Sequence, residues 1–211
     1  MTDYKKEEYW SRFANTFDEN QRYIVGGAVQ QAIMERLSGE SDLGELIELG
    51  CGAGFYTKVL ATNASHVMAT DLSDEMLAIA RTQLKDLQNV TVEKADCGNT
   101  ACPDGRFSSV FMANLIHVIE NSSIVLQESY RILNEGGLLL IVSYTSYGMK
   151  WFEKIKMGIR FLRTFGKPLA VFRSLSPDEL CSLVESAGFK VEEVQLMGNK
   201  IKALYLKGRK R

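Results

Sequence analysis

The chain has 211 residues, of which 45% are hydrophobic and 24% are charged, and its formal net charge is −1. This composition is typical of one globular domain with a sizeable core, and it gives no bulk electrostatic attraction to nucleic acid. No apolar run approaches the roughly 20 residues that span a membrane, residues 1–8 lack the apolar segment of a signal peptide, and the four cysteines lack paired metal-ligand spacing. We therefore expect a cytoplasmic protein with reduced thiols and no metal site.

Residues 1–40 predict a helical N-terminal flap. Apolar residues between Ile24 and Leu37 recur at helical spacing, and Gly26 and Gly27 weaken this helix near its start. Aromatic side chains lie at or before the start of this helix, and they either cover the sheet or contact a ligand: Tyr9, Trp10, Phe13, Phe17 and Tyr23. Of these, Tyr23 is a candidate for contact with a substrate.

The most informative stretch is the glycine-rich run that begins at Glu48 and ends at Gly54. It joins an apolar strand at 46–49 to a helical pattern at 55–61. Glycines at alternate positions let the backbone turn sharply and approach a ligand, and the start of a helix offers unpaired N–H groups. A dinucleotide fingerprint needs a third glycine where Phe55 stands, and no Gly-Lys-Ser/Thr string follows. The run therefore predicts a nucleotide-type ligand that is not bound through a dinucleotide or phosphate loop.

A carboxylate ends the second predicted strand. Asp71 follows the apolar stretch 66–70, about 20 residues after the glycines, where doubly wound folds place an acid that binds ribose hydroxyls. Alternatively, Asp71 only caps the helix predicted over 73–87. Ser73 can already serve as that cap, which favours the ligand role.

Further strands alternate with helical patterns at 90–93, 107–113 and 137–143. Such alternation predicts an α/β fold with a parallel sheet and helices on both faces. Ligands of these folds bind at the carboxyl ends of the strands. Gly50, Asp71, Asp96 and Asn114 all fall at such ends, so we expect them to share one site.

In these motifs the chain resembles the class I S-adenosylmethionine-dependent methyltransferases, and most of all their small-molecule branch around the quinone-biosynthesis C-methyltransferases. The strings that carry the resemblance lie at 48–57, 70–77, 94–96 and 133–137. The resemblance implies a Rossmann-like, seven-stranded, mostly parallel sheet with a terminal antiparallel hairpin. It also implies an enzyme that uses S-adenosyl-L-methionine as its cofactor. Many members carry Phe-Asp where this chain has Phe107-Ser108, which puts the packing at that strand end in doubt.

The resemblance implies roles for individual residues at the strand ends. Gly50 and Gly52, preceded by Glu48, would approach the methionine part of the cofactor, and Asn114 would lie near its sulfonium. The implied ribose and adenine contacts come from Asp71, Leu72, Met76, Asp96 and Cys97.

Residues 144–175 carry a local excess of basic and aromatic side chains. Apolar residues from Trp151 to Phe165 recur at helical spacing, and Glu153 is the only acid between Gly148 and Ser174. Three interpretations stay open: a solvated helix over the core, a lid for an amphiphilic or anionic substrate, and contact of 148–173 with a membrane surface. We expect Tyr144, Tyr147 and Trp151 to contact the substrate.

The last part of the chain predicts a helix and a hairpin. Ser176 and Pro177 begin the helix, and strands at 190–196 and 201–207 follow. We therefore expect a single domain over 1–211. Its parts are the flap (1–40), the cofactor-binding core (44–143), the lid insertion (144–175) and the final helix and hairpin (176–211).

His117 is the candidate general base, since it follows the fourth strand and an imidazole ordinarily titrates near neutral pH. A packed histidine on a helix face is the equally weighted alternative. The Asn/Asp-Pro-Pro-Tyr/Phe string, which resembles enzymes that methylate amino groups of nucleic acids, is missing. We therefore expect a small-molecule acceptor, apolar or amphiphilic, and no nucleic-acid partner. The alternatives are a nucleic-acid or protein methyltransferase and a non-catalytic protein that binds the cofactor.

Overall fold

The computed structural model describes residues 8–167 and 173–211, and a seven-stranded sheet forms its centre. The strands are β1 (Glu45–Leu49), β2 (His66–Asp71), β3 (Val90–Lys94), β4 (Phe107–Ala113), β5 (Leu133–Thr145), β6 (Phe189–Met197) and β7 (Lys202–Lys210). Their spatial order is β3-β2-β1-β4-β5-β7-β6, in which β1 to β5 are parallel and β7 runs antiparallel to β5 and β6. The predicted fold class is confirmed.

The central strands are buried on both faces, as expected for a parallel sheet covered by helices. Along β1, Leu46 belongs to one hydrophobic core and Ile47 to the other, because successive side chains of a strand point to opposite faces. The edge strand β6 instead alternates between exposed and partly covered residues. The sheet thus fixes one direction for the five parallel strands and brings their carboxyl ends to one edge.

Helices cover both faces of the sheet: α1 (Phe17–Val25), α2 (Gly27–Ser38), α3 (Thr57–Leu60), α4 (Asp74–Leu84), α5 (Ser122–Ile132), α6 (Trp151–Phe165) and α7 (Pro177–Ser186). The predicted caps are present. The Ser73 hydroxyl accepts the Met76 N–H at 3.2 Å, and Ser176 forms a capping box with Glu179.

Two helices differ from the expectation. The helix predicted through Gly26 is divided there, because Gly26 has φ +82° and its N–H closes α1 on the Arg22 carbonyl. This left-handed conformation is open to glycine and unfavourable for most other residues. The helix predicted over 55–61 is only the four-residue α3, since residues 52–56 form turns.

The N-terminal flap packs against the far end of α6. The rings of Trp10 and Phe13 lie 5.6 and 4.8 Å from that of Phe165, and the Tyr9 hydroxyl donates to the Phe165 carbonyl at 3.1 Å. Residues 1–7 of the predicted flap and 168–172 of the predicted lid lie outside the described residues. Two segments that are distant in sequence therefore close over the same edge of the sheet.

The start of β4 contains one defect. The Ser109 hydroxyl is buried, and no described residue gives it a hydrogen-bond partner. This is the strand end at which the sequence departs from the family pattern. A buried hydroxyl without a partner destabilises the fold, because it has lost its hydrogen bonds to water.

Candidate active site

A cavity of about 890 Å³ opens at the carboxyl ends of the parallel strands. The nine residues predicted to contact the cofactor all line it: Glu48, Gly50, Gly52, Asp71, Leu72, Met76, Asp96, Cys97 and Asn114. His117 and Tyr144 line it as well. The structure therefore brings these residues together, and their contact with a ligand stays a prediction.

Asp71 joins the glycine loop to the start of α4. One of its carboxylate oxygens accepts the Gly52 N–H at 2.9 Å, and the other accepts the Ser73 N–H at 3.0 Å. Gly50 and Gly52 have φ of +74° and +55°, so the loop depends on residues without a Cβ. Ser73 caps α4, which leaves Asp71 the role of holding the loop. Each carboxylate oxygen has a second lone pair, so Asp71 can also accept from a ligand.

Glu48 is buried beneath the glycine loop. Its Oε2 accepts the Thr57 hydroxyl at 2.5 Å, which ties β1 to the first turn of α3. Burial raises the pKa of Glu48 to about 8, and the nearby charge of Asp71 adds to the increase. At neutral pH the carboxyl group is therefore mostly protonated.

The cavity is acidic. Five carboxylic acids line it: Asp18, Glu48, Asp71, Asp96 and Glu120. Arg173 is the one lysine or arginine among the described lining residues, and its guanidinium donates to the backbone carbonyls of Ile119 and Glu120. Such a lining attracts a cation and repels phosphate groups.

Asn114 holds the ends of β4 and β5 together. It has φ +56°, which asparagine tolerates better than most residues. Its N–H donates to the Val142 carbonyl at 2.8 Å, and its Oδ1 accepts the Tyr144 N–H at 2.9 Å. This arrangement fixes the part of the cavity wall at the ends of β4 and β5.

A pair of phenols faces the cavity beside Asn114. The hydroxyls of Tyr56 and Tyr144 lie 3.3 Å apart. Burial raises the pKa of Tyr144 to about 12, and that of Tyr56 well above its ordinary value, so both are protonated at neutral pH. Sequence reasoning missed Tyr56, whose place depends on the turns before α3. Its position two residues after the glycine run was the one available signal.

His117 lies in a turn after β4, not on a helix face, and is 8% exposed. Its Nδ1 lies 3.0 Å from the Ser143 hydroxyl. Burial lowers its pKa to about 4, which corrects the expectation of titration near neutral pH. The imidazole is neutral at pH 7, but its low pKa makes it a weak general base.

Three of the four predicted substrate residues lie away from the cavity. Tyr23, Tyr147 and Trp151 are 52%, 48% and 72% exposed and are not among its lining residues. Helical periodicity identified an apolar face on α6, but it could not say which side of the helix faces the cavity. Of the four, Tyr144 lines the cavity, and contact of any of them with a substrate stays a prediction.

Apolar side chains of the flap and of α6 form the outer wall of the cavity: Trp10, Phe17, Ile24, Met157, Phe161 and Phe165. Within the described ranges no group of three His, Cys, Asp or Glu side chains could hold a metal ion, and no helix is long and apolar enough to cross a membrane.

Comparison with known proteins identifies related sequences and structures. Residues 47–141 match the family model described as a methyltransferase domain. A demethylmenaquinone methyltransferase of Tropheryma whipplei is 30% identical over 101 residues, which are 48% of this chain and 42% of that protein. A malonyl-[acyl-carrier protein] O-methyltransferase of Serratia marcescens is 28% identical over 62% of this chain and 49% of its own length. The chain thus matches less than half of each of these two relatives.

The fold is shared with solved structures. A Thermotoga maritima protein described as an S-adenosylmethionine-dependent methyltransferase, possibly a histamine N-methyltransferase, superposes with a TM-score of 0.75. The match covers 97% of this chain and 99% of that one at 20% identity. At this identity the likeness establishes the architecture alone.

Proposed function

We propose that the protein methylates a small, apolar or amphiphilic acceptor, and that residues 47–141, which match the methyltransferase domain model, bind the methyl donor S-adenosylmethionine. The sequence matches confirm the predicted resemblance, and with it the enzyme class and S-adenosyl-L-methionine as the cofactor of the family. The acceptor is our proposal, and the relative named as a demethylmenaquinone methyltransferase supports it.

The acidic lining of the cavity carries this proposal. S-adenosylmethionine bears a sulfonium, an ammonium and a carboxylate group, so its net positive charge matches a cavity that has four acids besides the neutral Glu48 and one guanidinium. Asp71 and Asp96, at the ends of neighbouring strands, suit the ribose hydroxyls and the adenine amino group. Leu72 and Met76 offer apolar surface for the adenine ring.

The same features disfavour a nicotinamide dinucleotide. Its pyrophosphate needs free loop N–H groups and the N-terminus of a helix. Here Asp71 accepts the Gly52 N–H, and α3 has only four residues. A pyrophosphate would also face the carboxylates of the lining.

The acceptor would occupy the space beneath the flap and α6. A cavity of about 890 Å³ is near the upper end of the range for small-molecule sites, which leaves room for a second ligand. Aromatic side chains form most of this part of the wall, and Tyr144 and Tyr56 supply hydroxyls. These surroundings favour an acceptor with an apolar body and a polar reacting group.

When bound, S-adenosylmethionine supplies an activated methyl group on a positively charged sulfur. The protein has to place the acceptor in line with that group and exclude water, and such positioning can contribute about 7–11 kcal/mol. The flap and α6 exclude water, while Tyr144 can orient the acceptor through its hydroxyl. His117 is neutral at pH 7 and can accept a hydrogen bond, and its role as a general base stays a prediction.

Transfer of a radiolabelled methyl group from S-adenosylmethionine into fractionated cell extract tests the function. We expect label in a lipid or small-metabolite fraction. Label in RNA or protein would contradict the proposed acceptor class. Absence of label from every fraction, with the cofactor bound, would contradict catalysis.

A further inference from the structure

Besides the apolar residues that it turns towards the cavity, the helix α6 carries large apolar side chains that are exposed on its outer side. The five side chains of this side are Trp151 (72% exposed), Phe152 (46%), Ile155 (53%), Ile159 (45%) and Leu162 (54%). We call them the α6 outer face. Phe165 is the one fully buried residue of this helix. Large exposed apolar clusters on a monomer mark interaction sites, because water is a poor solvent for them.

The outer face is a narrow stripe with basic borders. At about 100° of rotation per residue, its five residues fall within an arc of about 100°. Lys156 and Arg163 follow directly on one side of the arc, and Lys154 lies on the other. Glu153, the single acid of the helix, lies on the opposite side.

We propose that the α6 outer face docks the protein on the surface of an anionic lipid bilayer, with the helix lying in the plane of the interface. An apolar stripe bordered by lysine and arginine, with a tryptophan at one end, is the pattern of helices that bind there. The segment 148–167 carries six cations against one acid in a chain of net charge −1, so its charge is complementary to anionic headgroups. With 15 residues, α6 is too short to span the bilayer.

A second copy of this chain fits the surface less well. In a symmetric dimer the same patch lies on both subunits, so the basic borders of one outer face would meet those of the other. Such like-charge contacts oppose association, whereas anionic headgroups neutralise them. The charge pattern thus favours a lipid surface over self-association.

Docking would place the cavity beside the bilayer. The same helix forms part of the cavity wall, because Gly158, Phe161, Leu162 and Phe165 all line the cavity. An apolar acceptor dissolved in the membrane would then lie close to the cavity rim. The inference of docking does not depend on methyl transfer, because binding to vesicles is measured without cofactor or acceptor.

Fluorescence with vesicles tests the proposal. In a Trp10→Phe variant Trp151 is the only tryptophan, and we expect its emission to shift to the blue with phosphatidylglycerol vesicles but not with phosphatidylcholine vesicles. Binding should weaken as salt increases. An unchanged emission with the anionic vesicles at low salt, or equal binding to both kinds of vesicle, would overturn the proposal.

Variants identify the surface that binds. Ile155→Ser combined with Ile159→Ser, or Lys156→Glu combined with Arg163→Glu, should reduce the affinity for anionic vesicles about tenfold or more in flotation assays. The matched controls Val194→Ser and Lys200→Glu change exposed residues elsewhere and should bind like the wild type. Unchanged affinity in both double variants would refute docking through α6. A second result would also refute it: the wild type forms a dimer and binds no vesicles, whereas the Ile155→Ser, Ile159→Ser variant is a monomer. The α6 outer face would then be a self-association surface.

Binding of S-adenosylmethionine is measured on the same variants by calorimetry. None of the four substituted α6 residues lines the cavity, so we expect no change in cofactor affinity. Loss of vesicle binding with intact cofactor binding therefore separates this inference from the proposed function.

Discussion

Replacement of Glu48 by glutamine should remove a loss of stability that the wild type suffers as the pH increases, so the variant becomes more stable than the wild type at higher pH. The pKa of Glu48 rises from its ordinary value of 4.5 to about 8 on folding, since burial disfavours the charged form. The folded state therefore keeps a proton that the unfolded state releases above pH 4.5. The stability that this proton provides is complete below pH 4.5 and is lost as the pH approaches 8. Linkage gives a loss of about 3 kcal/mol at pH 7 and about 1 kcal/mol at pH 5.

Glutamine removes this proton equilibrium but keeps an oxygen that accepts the Thr57 hydroxyl. Glu48→Gln should therefore gain about 2–3 kcal/mol on the wild type between pH 5 and pH 7, measured by urea unfolding of the protein without cofactor. Glu93→Gln, a change of an exposed glutamate on β3, is the matched control and should show no such trend. If the curves of Glu48→Gln and the wild type stay parallel over this range, Glu48 is not a buried neutral carboxyl.

Three further predictions concern Ser109, His117 and Phe165. Ser109→Ala should raise the free energy of unfolding by about 1–2 kcal/mol, because it removes a buried hydroxyl without a partner, and equal or lower stability would contradict this. The pKa of His117 falls to about 4 on folding, so its contribution to stability is present above pH 6.5 and is lost as the pH falls towards 4. His117→Gln should remove that loss, which is about 3 kcal/mol at pH 4. If the free energy of unfolding of the variant falls between pH 6.5 and pH 4 as steeply as that of the wild type, His117 is not a buried neutral imidazole. Phe165→Ala should lower the free energy of unfolding by about 3–5 kcal/mol in thermal or urea unfolding, since it leaves a cavity in the aromatic cluster beneath the flap. A change below about 1 kcal/mol would show that the cluster is not packed as described.

Local sequence patterns predicted which residues come together at the strand ends and line the cavity. Gly52, Asp71 and Asp96 follow strands whose apolar runs are easy to recognise, and parallel strands bring their carboxyl ends together by geometry alone. Ser73 and Ser176 were recognised as caps because capping depends on residues only three positions apart. In each case the signal and the structure are both local.

The acceptor half depended on contacts that a single sequence does not encode locally. The periodicity of α6 showed that Trp151 and Phe165 share an apolar stripe, but the structure buries Phe165 and exposes Trp151. Which of them is covered depends on where the flap packs. The pKa of His117 likewise depends on burial by distant elements. The sequence predicted one helix that Gly26 and Gly27 weaken, but whether a glycine is tolerated in a helix or ends it is decided by tertiary packing.

Binding of S-adenosylmethionine in the acidic cavity should depend on Asp71. Isothermal calorimetry tests it with the wild type, with Asp71→Asn, and with the control Asp74→Asn, an acid on α4 that does not line the cavity. We expect S-adenosylmethionine to bind the wild type and Asp74→Asn with equal affinity and Asp71→Asn with an affinity at least about tenfold lower, which corresponds to at least about 1.4 kcal/mol. Equal affinity in all three folded proteins, or binding of NADH in place of S-adenosylmethionine, would contradict it.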